Sequence, residues 1–212
     1  MLITYPLKTG LYVNLTNRCP CACEFCLRKN ASGVFGTDSL WLEREPTVEE
    51  VNASIDSHDM SALDEVVFCG YGEPTERLDD LLAVARHVRA KYPRLRIRVN
   101  TNGLADLIHG TRTAPKLEGL VDTVSVSLNT PDPAEYEKIC HPKFGAGSWQ
   151  AMVDFAKDCR AFVPDVVMTV VDVPVTSLEK QAECRRITDA IGVRLRIRPY
   201  ETTGTSAAPA GR

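Results

Sequence analysis

The sequence predicts an α/β protein: a partial (β/α)6 barrel of six parallel strands, with its helices on the outer face. Three observations support that expectation. Strand-like and helix-like segments alternate along the chain, which implies right-handed crossovers and a parallel sheet. Four strands are apolar on one face only. Leu11, Val13 and Leu15 alternate with Tyr12, Asn14 and Thr16; Leu95, Ile97 and Val99 with Arg96, Arg98 and Asn100. Val124, Val126 and Leu128 oppose Thr123, Ser125, Ser127 and Asn129; Val193, Leu195 and Ile197 oppose Arg194, Arg196 and Arg198. A doubly wound sheet would bury both faces of its central strands. Here the helices belong on the apolar face, and the other face is too polar for a closed, packed barrel core. Finally, the 212 residues show no break that marks a second domain. We expect one core domain over 1–200 and a disordered tail, ETTGTSAAPAGR, over 201–212.

The elements follow in order. Residues 11–16 read as a strand, then a Cys-rich loop and a long connection run to about residue 46. Thr47 caps a helix, with Glu50 at the reciprocal capping-box position and Val48, Val51 and Ile55 as its apolar stripe. Residues 64–69 are a strand ending at Gly70. Leu78, Leu81, Leu82, Ala85 and Val88 mark the next helix. Strand 94–99 stops at the Asn102–Gly103 turn, and the stretch to 119 is weakly helical around Pro115. Strand 122–128 precedes helical pieces at 133–139 and 148–161, separated by His141–Gly147. Strand 165–171, helix 177–191 and strand 193–198 complete the series.

Composition narrows the partners. Apolar residues make up 44% and charged residues 25%, with a formal net charge of −3. That balance gives no general pull toward nucleic acid or acidic lipid, and a small molecule, peptide or protein partner suits it better. No apolar run reaches membrane-spanning length. The start, MLITYPLKTGLYV, lacks the features of a secretory signal, so the expected compartment is the cytoplasm.

Of the eight cysteines, Cys19, Cys21, Cys23 and Cys26 share one short loop, while Cys69, Cys140, Cys159 and Cys184 are scattered. The outer frame is Cys19-x3-Cys23-x2-Cys26, directly after the first strand. Three thiolates on one loop can each take one iron of a cube-shaped cluster and leave the fourth iron open. A zinc-binding interaction module is the non-enzymatic alternative, although structural zinc usually draws on two separated ligand pairs. With no second cysteine cluster downstream, no auxiliary Fe–S centre is expected.

This frame, with Phe25 just before its last cysteine, resembles the signature of the radical S-adenosylmethionine (SAM) superfamily. The resemblance implies a [4Fe–4S] cluster on Cys19, Cys23 and Cys26, with Phe25 near the adenine of SAM; Cys21 matches no ligand position. Gly70-Tyr71-Gly72-Glu73-Pro74 resembles the Gly-Gly-Glu-Pro motif that binds the SAM amino group. Glycines let backbone carbonyls approach such an ammonium closely. Ser127 and Asn129 match positions that contact the SAM ribose or carboxylate. Asn102 stands on a similar polar rim, and Arg198 is placed to pair with the SAM carboxylate. The segments LYVNLTNRC, FCLRKN, LWLEREPT, EVVFCGYGEPT, NTNG, LIHG, SVSLN and RIRPY together resemble the TatD-associated radical SAM family over roughly residues 5–200. That resemblance implies a functional link to a TatD-type hydrolase.

The implied chemistry is reductive cleavage of SAM to a 5′-deoxyadenosyl radical, which removes hydrogen from a small-molecule or peptide substrate. A flavodoxin- or ferredoxin-type donor would supply the electron. Arg96, Arg98 and Arg196 suit an anionic substrate, and His141, Lys143 and the 27–46 connection with Trp41 are further candidates to reach it. The alternative within the same chemistry is an activase or maturase acting on a protein partner.

Overall fold

The computed structural model describes residues 1–29 and 39–200; the expected tail over 201–212 and residues 30–38 of the 27–46 connection lie outside the described residues. Seven strands form one sheet in the order β1 (Thr4–Leu7), β2 (Gly10–Val13), β3 (Glu65–Phe68), β4 (Arg96–Thr101), β5 (Thr123–Ser127), β6 (Asp165–Val171) and β7 (Arg194–Arg198). β1 pairs antiparallel with β2, and every later pair is parallel. The mixed, mainly parallel sheet with flanking helices is consistent with a partial (β/α) barrel.

The six expected parallel strands are β2–β7, and β1 is a correction to the expected count. TYPL contains a proline, which removes a ladder donor and argues against a central strand. At the sheet edge that loss is tolerated, and Pro6 stands opposite Leu11. The first parallel strand is also shorter than the expected 11–16. Beyond Val13 one more backbone bond follows, Asn14 N to the Ile3 carbonyl (2.8 Å), and the Asn14 side chain donates to the Leu40 carbonyl (2.7 Å).

The main helices are α1 (Val48–Asp56), α2 (Leu78–Lys91), α3 (Ala105–His109), α4 (Pro133–Cys140), α5 (Ser148–Cys159) and α6 (Leu178–Ala190). The expected capping box starts α1, with Thr47 and Glu50 each accepting from the other's backbone N–H. One continuous core joins the predicted apolar strand face (Leu11, Val13, Ile97, Val99, Val124, Val126) to the helices through Ile55, Leu81, Val88, Tyr136 and Phe155. Val67 and Val167 are buried but stand on the opposite face, outside that core. The one-sided alternation therefore places the helices correctly. Among the described residues, no helix is long and apolar enough to cross a membrane.

Asp56 ties α1 to α2. Its carboxylate meets Lys91 Nζ at 2.7 Å, accepts from Tyr92 OH at 2.8 Å and lies 2.9 Å from His87 Nε2. Partial burial opposes ionisation, but the Lys91, His87 and Tyr92 contacts outweigh it and bring the pKa down from 3.8 to about 2. A folded pKa below the unfolded one stabilises the fold above the unfolded pKa, and that contribution is lost as pH falls through the folded one. Asp56→Asn is thus expected to lower stability at neutral pH. It should also flatten the stability profile between about pH 4 and pH 2, read by urea denaturation across that range; an unchanged acid slope would exclude this linkage.

Candidate active site

The loops after β2, β3, β4, β5 and β6 all emerge at one end of the parallel sheet, the end where barrel enzymes place their chemistry. The loop after β2 carries Cys19, Cys21, Cys23 and Cys26. It docks on the C-terminal end of α4 through three backbone hydrogen bonds. Ala22 N donates to the Cys140 carbonyl (3.1 Å), Glu24 N to the Ile139 carbonyl (2.9 Å) and Lys143 N to the Pro20 carbonyl (2.8 Å). His141 ends the helix in a left-handed conformation (φ 44°), which turns the chain back along the cysteine loop. Its Nε2 lies 3.4 Å from the Glu24 carboxylate. The structure thus places His141 and Lys143, both substrate candidates in the sequence, beside the cysteine loop.

Cys140, which carries no motif in the sequence, is fully buried and joins the thiol cluster. Cys21 is also buried, and its thiol donates to Cys19 and Cys23, which pushes its own pKa up. Cys23 receives from the Cys140 thiol first and then from Cys21, and its pKa falls to about 3. Cys19 is lowered chiefly by the Cys21 thiol, whereas burial pushes Cys26 up. The Asn102 amide reaches Cys19 Sγ at 3.9 Å and Cys21 Sγ at 3.8 Å, and the Asn129 amide reaches Cys140 Sγ at 3.4 Å. Asn102 and Asn129, distant in sequence, therefore reach different members of the same thiol cluster.

Among the described residues, no three His, Cys, Asp or Glu side chains are already arranged as a metal-binding group. The donor chemistry nevertheless fits an iron–sulfur cluster. Thiolates are the soft ligands such clusters take, and Cys19 and Cys23 are held toward the thiolate form, the form that binds metal.

The GYGEP loop after β3 braces the cysteine loop. A Cβ on Gly72 would lie 2.6 Å from the Arg18 carbonyl oxygen and closer still to that of Thr16, and one on Gly70 would overlap the Asn14 side chain. Both glycines are thus needed for close packing against the end of β2. Glu73 is 4% exposed, and the protein itself uses its carboxylate. Oε1 accepts from Thr75 N (3.1 Å), Thr75 Oγ1 (2.7 Å) and Thr101 Oγ1 (2.7 Å), and Oε2 from Asn102 N (2.7 Å). Burial raises its pKa against the pull of these donors. Tyr71 turns away into a small cluster with Tyr5 and Leu40, with its ring edge-on to Trp41 (5.3 Å).

Phe25 and Asn129 line one crevice with Ile139, Val171, Thr176 and Lys180. The Thr176 hydroxyl there is buried without a partner. Ser127 is the last residue of β5, opposite Thr169 of β6. Arg198 ends β7 close enough to Cys69 to favour its thiolate, although burial raises the Cys69 pKa overall. The other candidate arginines line the opposite end of the sheet, where Arg98 is bound to Glu65 at 2.7 Å.

A mainly parallel α/β sheet with a thiol loop at the C-terminal end of its parallel strands defines the class. The family model of the Radical SAM superfamily matches residues 13–184, and the chain belongs to that superfamily. It is 31% identical over 144 residues to a probable dual-specificity RNA methyltransferase RlmN of Rhodococcus erythropolis, covering 62% of this chain and 37% of that protein. It is 34% identical over 133 residues to GTP 3′,8-cyclase of Streptomyces coelicolor, covering 63% and 36%. The chain thus matches little more than a third of the length of these curated relatives. Among solved structures, a radical SAM methyltransferase from Sphaerobacter thermophilus superposes with a TM-score of 0.66 at 22% identity, covering 98% of this chain and 60% of that one. Methylornithine synthase superposes with 0.60 at 14% identity, covering 91% and 53%. Both likenesses concern the fold.

Proposed function

We propose that this chain is a radical SAM enzyme: Cys19, Cys23 and Cys26 hold a [4Fe–4S] cluster in a single core domain built as a partial (β/α)6 barrel. The observation that carries the reading is the docking of the cysteine loop at the C-terminal end of the sheet, beside the GYGEP loop and the amides of Asn102 and Asn129. Bound cluster and SAM together supply a one-electron reductive cleavage that yields a hydrogen-abstracting radical. The chain's own residues orient the cofactor. Glu73 fixes the loop whose backbone carbonyls receive the SAM amino group, and the Phe25–Asn129 crevice takes the adenosine. Arg198 supplies a cation for the SAM carboxylate.

The two curated relatives are named for work on RNA and on GTP, both phosphate-bearing, which supports an anionic substrate here. Placement beside the TatD-associated proteins, a cytoplasmic location and a flavodoxin- or ferredoxin-type donor belong to the same reading. A protein substrate is the second reading, favoured by exposed apolar side chains at the same end: Phe25, Leu27, Val173, Val175 and Leu178.

Anaerobic reconstitution with iron and sulfide, then dithionite and SAM, is expected to release 5′-deoxyadenosine, detected by liquid chromatography. A fully loaded protein that produces none would sink the assignment.

A further inference from the structure

The far end of the sheet carries a second cavity. The first residue of every parallel strand (Gly10, Glu65, Arg96, Thr123, Asp165 and Arg194) lines one cavity of about 390 Å³. That size falls within the range of small-ligand pockets. β6 is seven residues long, so this mouth stands roughly 20 Å from the cysteine end, at about 3.3 Å per residue. The cavity is independent of the radical SAM reading.

Its charge is one-sided. Lys8, Arg96, Arg98, Arg194 and Arg196 line it against only Glu65 and Asp165, in a chain whose net charge is −3. Both carboxylates are already engaged: Glu65 with Arg98 at 2.7 Å and Asp165 with Arg194 at 2.8 Å. Among the described residues, Lys8, Arg96 and Arg196 have no carboxylate partner within ion-pair distance.

Lys8 adds a second argument. It is the first residue of the two-residue turn between β1 and β2, at φ 56°. Glycine is the usual occupant of such a position, because any Cβ there costs backbone strain. Lys8 brings its cation to the cavity despite that backbone cost.

We propose that this cavity binds a diphosphate group, either free pyrophosphate or the diphosphate of a nucleotide. Three uncompensated cations match a multiply charged anion better than a single carboxylate. Arginine guanidinium groups meet phosphate oxygens in pairs, and lysine adds a point charge.

Calorimetric titration of the full chain with pyrophosphate, and separately with ADP, tests this in iron-free and reconstituted protein alike. The expected result is saturable one-to-one binding that is the same with and without the cluster. Lys8→Gly should weaken it about fivefold at a position where glycine suits the backbone, and Arg96→Ala with Arg196→Ala at least tenfold. Iron content should stay unchanged in both. Tighter binding of ADP assigns a nucleotide, and equal or weaker binding assigns free diphosphate. Absence of saturable binding, or unchanged affinity in the variants, overturns the site. Failure to cleave SAM leaves this titration unaffected, so the two readings fail separately.

Discussion

Serine in place of Cys19, Cys23 or Cys26, one at a time, is expected to abolish the broad absorption near roughly 400 nm of the reconstituted protein. Iron should fall from about four per chain to less than half of that. Iron–sulfur clusters require soft thiolate ligands, and a serine hydroxyl is a poor replacement at neutral pH. Cys21→Ala and Cys140→Ala are expected to keep the cluster. Each removes only a thiol that donates to Cys19 or Cys23, and each empties a small volume in the core, costing roughly 1 kcal/mol. The comparison is sharp because the structure brings Cys21, and not Cys26, into hydrogen-bonding contact with both Cys19 and Cys23. If Cys21→Ala loses its iron while Cys26→Ser keeps it, the ligand set contains Cys21, and the three-cysteine frame read from the spacing is wrong.

What the sequence revealed depended on how local each signal was. Alternation along β4, β5 and β7 reports which face meets the helices, because neighbouring side chains on a strand point to opposite faces. The capping box at Thr47 and Glu50 spans three residues and needs no partner elsewhere. The thiol frame lies within one loop, so its spacing was readable. Cys140 was not: it lies beyond β5, and only the docking of α4 against the loop brings it to Cys23. The same holds for Thr101, which accounts for part of Glu73's fixed position. β1 stayed hidden because its proline argues against a strand until the hairpin is known to form the sheet edge. The arginines show the opposite error. Their alternation correctly put them on the polar face, but alternation carries no information about which end of the barrel a residue occupies. Arg96 and Arg194 open their strands, so they line the mouth away from the cysteines.

The second large effect is expected at Gly72. Alanine there would place a methyl group 2.6 Å from the Arg18 carbonyl oxygen and nearer still to that of Thr16. Both obstacles are backbone, so no rotamer change relieves them. The same stretch is held by the Glu73 N–H donating to the Arg18 carbonyl at 2.8 Å, and Arg18 immediately precedes Cys19. The loop must therefore move, and the stem of the cysteine loop moves with it. Overpacking of this kind costs about 1–3 kcal/mol, occasionally more; the value here is expected near the upper end. Iron content after reconstitution should fall together with stability in urea. Gly110→Ala is the matched control. Its φ is 63°, yet a Cβ there meets nothing within 4 Å, so it bears only a backbone penalty of about 1 kcal/mol and should load iron normally. Equal iron in the two variants would mean that the GYGEP loop does not set the position of the cysteine loop, and the bracing role assigned to Gly72 would fall.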